Sequence, residues 1–266
     1  MAEKRGCGMN TQDENERRVK LALMLSAEML KNGGETYRAE DCALRVLAAA
    51  GSADTQVMAM PTNILVTATF DGQTITRSRS VRVRAVDLGE IDRLNTVSRA
   101  YASGMLDLEG AMAAVSAASP PRPVWLMSLY ACLSAAFLTC IFGGSWREFP
   151  FAALIAFASQ FAVRCWKKAG KYGFMTNLFC SVFTAVCARL LALAVPSLNI
   201  GALIIGGIMP LLPGLSMTNA IRDTINGDLV SGSARALEAL LACVAIAAGV
   251  GVEPCLWQLA FIAHNQ

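Results

Sequence analysis

From Leu190 to Ile221 the chain carries no charged residue, and the run is closed by Arg189 at one end and Arg222 at the other. A helix crossing the hydrocarbon core of a bilayer needs about 20 apolar residues. The run is too long for one comfortable span, so the chain has to turn inside it. Pro196-Ser197 is the natural place for that turn. A second interruption comes at Pro210, Pro213 and Gly214. Proline removes a backbone donor and clashes with the preceding turn, so a helix through this point kinks or breaks. Inside a bilayer the freed backbone groups are tolerated only where they are buried in protein or line a cavity. Broken helices of this kind often form substrate sites in transporters. Two readings of Pro210 to Asp228 therefore stand side by side: part of a substrate path, or a structural kink at the end of an ordinary span.

Composition supports a membrane protein. The 266 residues are 55% hydrophobic and only 16% charged, with a mean hydropathy of +0.46. Soluble domains carry roughly 25% charged residues. The charge is also unevenly placed. Residues 1–119 hold 14 basic and 15 acidic side chains, whereas residues 120–266 hold 9 and 5. The first stretch reads as a water-soluble domain and the second as a membrane domain. A net charge of +3 is too small to point to nucleic acid. The nine cysteines form no C-x-x-C pair and no Cys/His metal spacing, and in apolar segments cysteine behaves as a small hydrophobe. No metal site and no cofactor is expected. The charged start of the chain lacks the short apolar core of a signal peptide.

Residues 1–15 read as a flexible N-terminus and residues 16–119 as an α+β domain. A helical stripe of Val19, Leu23, Met29 and Leu30 stops at Asn32-Gly33-Gly34. A second helix, Glu35 to Ala50, opens with Glu35, Thr36, Tyr37, Arg38, Glu40 and Asp41. Acids there suit the helix dipole, and a solvated helix start explains them as well as a site does. The period then changes to two over Thr55–Met60 and Asn63–Phe70, with Asp71-Gly72 as a hairpin signal. The returning strand, Gln73 to Arg84, places Arg77 and Arg79 on one parity and Arg82 and Arg84 on the other, so a bulge or strand end is expected near Ser80. These arginines read as a solvated sheet face or an anion-binding patch. Asp87 is a plausible cap for a helix reaching Ser103, and a last helix runs from Asp107 to about Ala117.

A proline-rich connector, residues 120–123, leads to a membrane domain at residues 124–252. Five spans are expected, at about 124–142, 149–166, 172–195, 198–217 and 236–252, followed by a short external tail, 253–266. If the soluble domain is cytoplasmic, the inner loops hold Arg122, Arg164, Lys167, Lys168, Lys171, Arg222 and Arg235, and the outer loops only Arg147. That is the positive-inside bias. It places the N-terminus inside and the C-terminus outside. The fold class is thus an α-helical integral membrane protein with five transmembrane helices and an N-terminal cytoplasmic α+β domain.

Several polar residues fall in or beside the apolar half. Arg189 lies near the outer end of the third span, where it either snorkels to the interface or faces a cavity. Its partner in the second case is an anionic substrate or an acid of another subunit. Beyond Pro213-Gly214 come Thr218, Asn219, Arg222, Asp223 and Asp228. A helix restarting there presents free N–H groups that favour a carboxylate, and Arg222 offers a planar fork for the same group. Asp223 and Asp228 are candidates to carry a coupling proton. The bland alternative is that Arg222 pairs with Asp228 or Glu238 in a structural clamp.

Leu30 to Asp41 (Leu-Lys-Asn-Gly-Gly-Glu-Thr-Tyr-Arg-Ala-Glu-Asp), Pro61, Asn95 to Arg99 and Pro213-Gly214 followed by Thr218-Asn219-Ala220-Ile221-Arg222-Asp223 and Gly227-Asp228 together resemble the bacterial threonine/serine exporter family. The resemblance covers roughly Arg17 to Val252, and Glu35, Tyr37, Arg38 and Pro213 to Asp228 match the family pattern position by position. It implies export of small metabolites across the bacterial cytoplasmic membrane. Full-length members are about twice this size, so the chain resembles the larger subunit of the split version. That implies a small all-membrane partner supplying a second set of spans. Some split systems are linked to succinate rather than threonine, which leaves the substrate open among small carboxylates.

Two other classes of function are weaker. A membrane-tethered hydrolase would have to use Glu35, Tyr37 and Arg38, since the soluble domain holds neither a histidine nor a G-x-S-x-G motif. A regulatory module would bind cytosolic metabolites in that domain and gate the partner. No G-x-x-x-x-G-K-[ST] loop occurs, so transport driven by ATP within this chain is not expected.

Overall fold

A computed structural model describes residues 11–81, 86–117, 123–168 and 173–264. The chain divides into two compact units, Met1–Pro120 with Ser216–Ala236, and Pro121–Leu215 with Leu237–Gln266. The first unit therefore reclaims a segment that the sequence reading placed in the membrane domain.

In the first unit, α1 (Thr11–Lys31) and α2 (Thr36–Ala49) are followed by three strands, β1 (Asp54–Met60), β2 (Asn63–Phe70) and β3 (Gln73–Ser80), and by α3 (Leu88–Ala102) and α4 (Leu108–Ser116). Helix α1 buries Leu21, Leu25 and Met29 completely. It ends because Gly33 takes φ +86° and Gly34 N–H donates to Met29 O at 2.9 Å, the bonding of a Schellman stop. A Cβ on Gly34 would lie 2.9 Å from that same oxygen, so this position has no room for a side chain. The sheet is antiparallel in the order β1-β2-β3. Asp71 and Gly72, both at positive φ, turn the chain so that Phe70 faces Gln73. Ile64, Val66, Ala68 and Phe70 form the buried face of β2.

Strand β3 ends at Ser80, where the parity of the arginines changes. Arg82 and Arg84 lie outside the described residues. Arg77 pairs with Glu16 at 2.5 Å and Arg79 with Glu28 at 3.3 Å. Those pairings fit the solvated-face reading of these two residues. Asp87 caps α3 as expected, accepting from Gly89 N–H and Glu90 N–H.

The second unit contains α5 (Val124–Ile141), α6 (Glu148–Lys168), α7 (Phe174–Ala194), α8 (Ile200–Ile208) and the later part of α10 (Leu229–His264). Small residues let these helices approach closely. A Cβ on Gly206 would fall 2.9 Å from Ala135 O, and one on Gly249 would fall 2.7 Å from Leu178 O. At the start of α6 the Glu148 carboxylate reaches back, with Ser145 N–H and Oγ–H both donating to Glu148 Oε2.

Two helices, Phe174–Ala194 and Leu229–Cys255, are long and apolar enough to cross a membrane among the described residues. A third span is present if the bent pair Ile200–Leu211 and Gly214–Ile225 counts as one. Trp125–Ile141 and Glu148–Phe161 are apolar but shorter. The architecture is that of a largely helical membrane protein.

Two segments differ from the sequence reading. The expected fourth span, 198–217, is not one helix: α8 stops at Ile208, a 3-10 turn covers Met209–Leu211, and α9 (Gly214–Ile225) starts afresh. Pro210 and Pro213 each withhold a helix donor within four residues, which accounts for the restart at Gly214. The expected tail, 253–266, is helical as far as His264, with Pro254 inside α10. One proline removes a single ladder bond, and apolar sequence on both sides carries the helix through.

Candidate functional site

The short α1–α2 turn, Asn32 to Glu35, exposes the backbone groups that helix ends always leave over. Within the first unit these groups are taken up by α9 and the start of α10. Asn219 Nδ2 donates to Gly33 O at 2.9 Å, and Arg235 Nη2 donates to Gly34 O at 2.8 Å. The Thr36 N–H and Oγ–H both donate to Asp223 Oδ1, at 3.4 and 2.9 Å. Glu35 occupies the N-cap position of α2 but makes no capping bond. Asp223 supplies the anion for that helix start instead, from 187 positions away.

Asp223 is fully buried and its side chain pairs with Arg235, Oδ2 to Nε at 3.0 Å. The contact between these two atoms is an ion pair rather than a hydrogen bond. At that separation in a buried site they are nonetheless each other's electrostatic partners. Next to this pair, Glu35 uses its two oxygens on two arginines. Oε1 meets Arg222 Nη1 at 2.5 Å, and Oε2 meets Arg38 Nε at 2.9 Å. The Glu35 side chain is 8% exposed, whereas those of Arg222 and Arg38 are 52% and 43% exposed. Arg38 also donates to the Tyr37 hydroxyl and lies over its ring. The Tyr37 hydrogen bond, more than the Glu35 charge, holds the Arg38 guanidinium even more firmly protonated than usual.

Glu40 sits at the edge of this cluster and accepts from Ala59 N–H at 2.8 Å. Burial pushes its carboxyl up, the Ala59 bond opposes that shift, and the charges of Asp228 and Asp223 add to it.

Helices α9 and α10 are joined by Asn226-Gly227-Asp228, with Gly227 at φ +89°. Asp228 Oδ1 accepts from Ser231 N–H at 3.0 Å and so caps α10. The two helices meet closely at Gly232, where a Cβ would lie 3.0 Å from Ala220 O.

The predicted site residues thus separate into groups. Glu35, Arg38, Tyr37, Asn219, Arg222 and Asp223 come together. Asp228 is a cap, and Thr218 is exposed on α9. Asp41 is exposed and pairs with Arg45, one turn along α2. Pro213 and Gly214 belong to the second unit, at the helix break. Arg222 is clamped, but by Glu35 rather than by Asp228 or Glu238 as the structural alternative had it.

Arg189 is also in the second unit. Its Nε meets Glu253 Oε1 at 2.5 Å, and its guanidinium lies 5.8 Å from the Trp257 ring centroid. Of the readings open for Arg189, the structure shows an acid partner, and that acid comes from α10 of the same chain. The sequence reading named Thr36 within the start of the second helix and Arg235 among the inner loops, without placing either in the site, and it did not single out Glu253. The one sequence signal for Glu253 was an acid placed against an apolar helix.

Among the described residues no group of three or more His, Cys, Asp or Glu side chains is placed to hold a metal ion. What the site offers chemically is charge recognition. Its guanidinium groups stand at the surface over a fully packed ion-pair layer.

The family profile described as "Putative threonine/serine exporter" matches residues 20–254. A protein of Mycobacterium tuberculosis named "Probable threonine/serine exporter" is 29% identical over 240 residues, covering 86% of this chain and 44% of that one. The "Probable succinate transporter subunit YjjP" of Escherichia coli is 25% identical over 254 residues, covering 93% of this chain and 98% of that one. Its namesake from Klebsiella aerogenes is 26% identical, with 93% and 97% covered. The chain therefore spans less than half of the mycobacterial relative and nearly all of the other two. No solved structure matches it.

Proposed function

Because the chain belongs to the threonine/serine exporter family, we propose that it is a subunit of a secondary exporter that moves small carboxylate-bearing metabolites out of the bacterial cell. The observation that carries this reading is Arg222, a half-exposed guanidinium on the helix that restarts directly after the proline break. A planar guanidinium fork suits a carboxylate, and a broken membrane helix suits a substrate path. Five spans fit the apolar segments, with α8 and its break as the fourth. The positive-inside bias orients them with the first unit in the cytoplasm. The names of the relatives bracket the substrate between threonine or serine and succinate.

Near full-length coverage of a relative named as a subunit, and less than half coverage of another member, support a small all-membrane partner that completes the path. The test is accumulation. Cells lacking the chain or its partner should each retain more threonine or succinate than cells carrying both. Unchanged efflux in both deletions rules the proposal out.

A second reading concerns regulation. The α1–α2 turn is gripped by α9 and α10, so the first unit is in a position to gate transport in response to cytosolic metabolites. Calorimetry on the full chain tests it, and heat that is unchanged by loss of the transport partner supports it.

A further inference from the structure

Arg18, Arg45 and Arg77 of the first unit each have an acid of their own, Glu14, Asp41 and Glu16. At Glu35 the stoichiometry changes, because one buried carboxylate serves two arginines. Glu35 alone neutralises only one of the two, and the further carboxylates around the cluster are Glu40 and Asp228. A guanidinium carries five N–H donors and no acceptor. Arg222 spends only Nη1, on Glu35, and its Nε and Nη2 have no partner among the described residues. Arg38 spends Nε on Glu35 and Tyr37, and neither of its Nη groups has a hydrogen-bond partner among the described residues. Two planar forks with open donors therefore stand on either side of one carboxylate and face water.

We propose that Arg38 and Arg222 together form a receptor for the carboxylate of a small metabolite, with Glu35 as the positioning residue that holds the two guanidinium groups together. Each contributes charge-assisted hydrogen bonds to the incoming oxygens. Glu35 cannot follow its arginines outward, because it is buried and its neighbours Gly34 and Thr36 are held by Arg235 and Asp223. Tyr37 limits the freedom of Arg38 from below, which lowers the ordering cost of binding. The inference rests on the exporter reading for the kind of ligand, and adds to it a residue from the first unit. The same carboxylate chemistry is offered by succinate and by threonine.

The experiment is equilibrium binding of radiolabelled succinate and of L-threonine to the purified full chain in detergent. It compares the wild type with Arg38→Gln, Arg38→Lys, Arg222→Gln and Arg77→Gln. Arg38→Gln and Arg222→Gln should each weaken binding about tenfold or more. Arg38→Lys keeps the charge without the fork and should fall in between. Arg77→Gln should match the wild type. Melting curves identify any variant that fails to fold, and Arg38→Lys then carries the test with an expected loss of about threefold or more. Preference for succinate over threonine, or the reverse, assigns the ligand.

Wild-type affinity in Arg38→Gln or in a folded Arg38→Lys overturns the fork, as does a wild-type chain that binds neither ligand. Export assays on cells carrying the chain and its partner separate this outcome from failure of the exporter reading. Normal export in Arg38→Gln overturns the fork alone, whereas no export by the wild type overturns the exporter reading.

Discussion

The two units bury opposite kinds of side chain. In the first, the fully enclosed residues are large: Leu21, Leu25, Leu30, Leu47, Ile64 and Leu94. In the second, the enclosed residues are mostly small, such as Ala135, Ala136, Ala152, Ala188 and Ala245, while Phe137, Leu154, Phe157 and Phe161 are each at least 50% exposed. Water rewards the removal of large apolar side chains from its surface. Lipid tails give no such reward, so helices within them gain by close backbone approach at small residues. The polar interactions follow the same division. The first unit has a layered ion-pair network around Asp223, whereas the second pairs Arg189 with Glu253 and Ser159 with Thr184 and gathers Ser145 and Asn199 on Glu148.

The comparison can be broken most sharply at the network. Arg235→Ala leaves Asp223 buried without its cation, and should cost about 3–5 kcal/mol, read as a fall in the melting temperature of the purified chain. Leu25→Ala should cost about 2–5 kcal/mol by the same readout, because α1 cannot collapse around the void. A Gly249→Val exchange pushes a side chain into Leu178 O, and about 1–3 kcal/mol of overpacking is expected. It should show as lost monodispersity in detergent. Leu154→Ala, at a position 56% exposed, should change stability by less than about 0.5 kcal/mol. A large loss there would mean that this face of the second unit is covered.

The smallest effect is expected at Glu40. Its carboxyl is raised in the folded state, so its favourable contribution is present below the unfolded value of about 4.3 and is lost as pH rises through the folded value. Glu40→Gln, which keeps an acceptor for Ala59 N–H, should therefore stabilise slightly at neutral pH, by less than about 1 kcal/mol for a half-buried group still reached by solvent. The gain should vanish near pH 4.

The local elements were readable because their causes are local. Gly33-Gly34 stops α1, Asp71-Gly72 turns the hairpin, Asp87 caps α3, and Pro210 with Pro213 breaks the helix after α8. Each signal acts within a few residues of itself. The residues of the site were also recognisable, as two motif blocks. Their meeting was not, because Thr36 and Asp223 are separated by 187 positions and helical periodicity carries no information over that distance. The search for a clamp on Arg222 went to acids close in sequence, Asp228 and Glu238, and the acid that holds it is Glu35. The unit boundary was missed for the same reason: α9 follows a membrane-grade run, yet its polar face serves the first unit. Pro254 misled in the other direction, since a proline reads as a stop and here lies within α10.

The cap that Asp223 places on α2 also sets an order of events during synthesis. Residues 11 to 117 leave the ribosome before helices α5 to α10, and their hydrophobic core can close early. The α1–α2 turn cannot be finished at that stage, because Asn219, Asp223 and Arg235, which satisfy Gly33 O, Thr36 N–H and Gly34 O, have not yet been translated. Helices α5 to α8 are made in between. The α1–α2 turn is therefore made before the membrane helices and completed after them, and the nascent protein carries an unfinished helix start until the segment beyond the proline break arrives to close it.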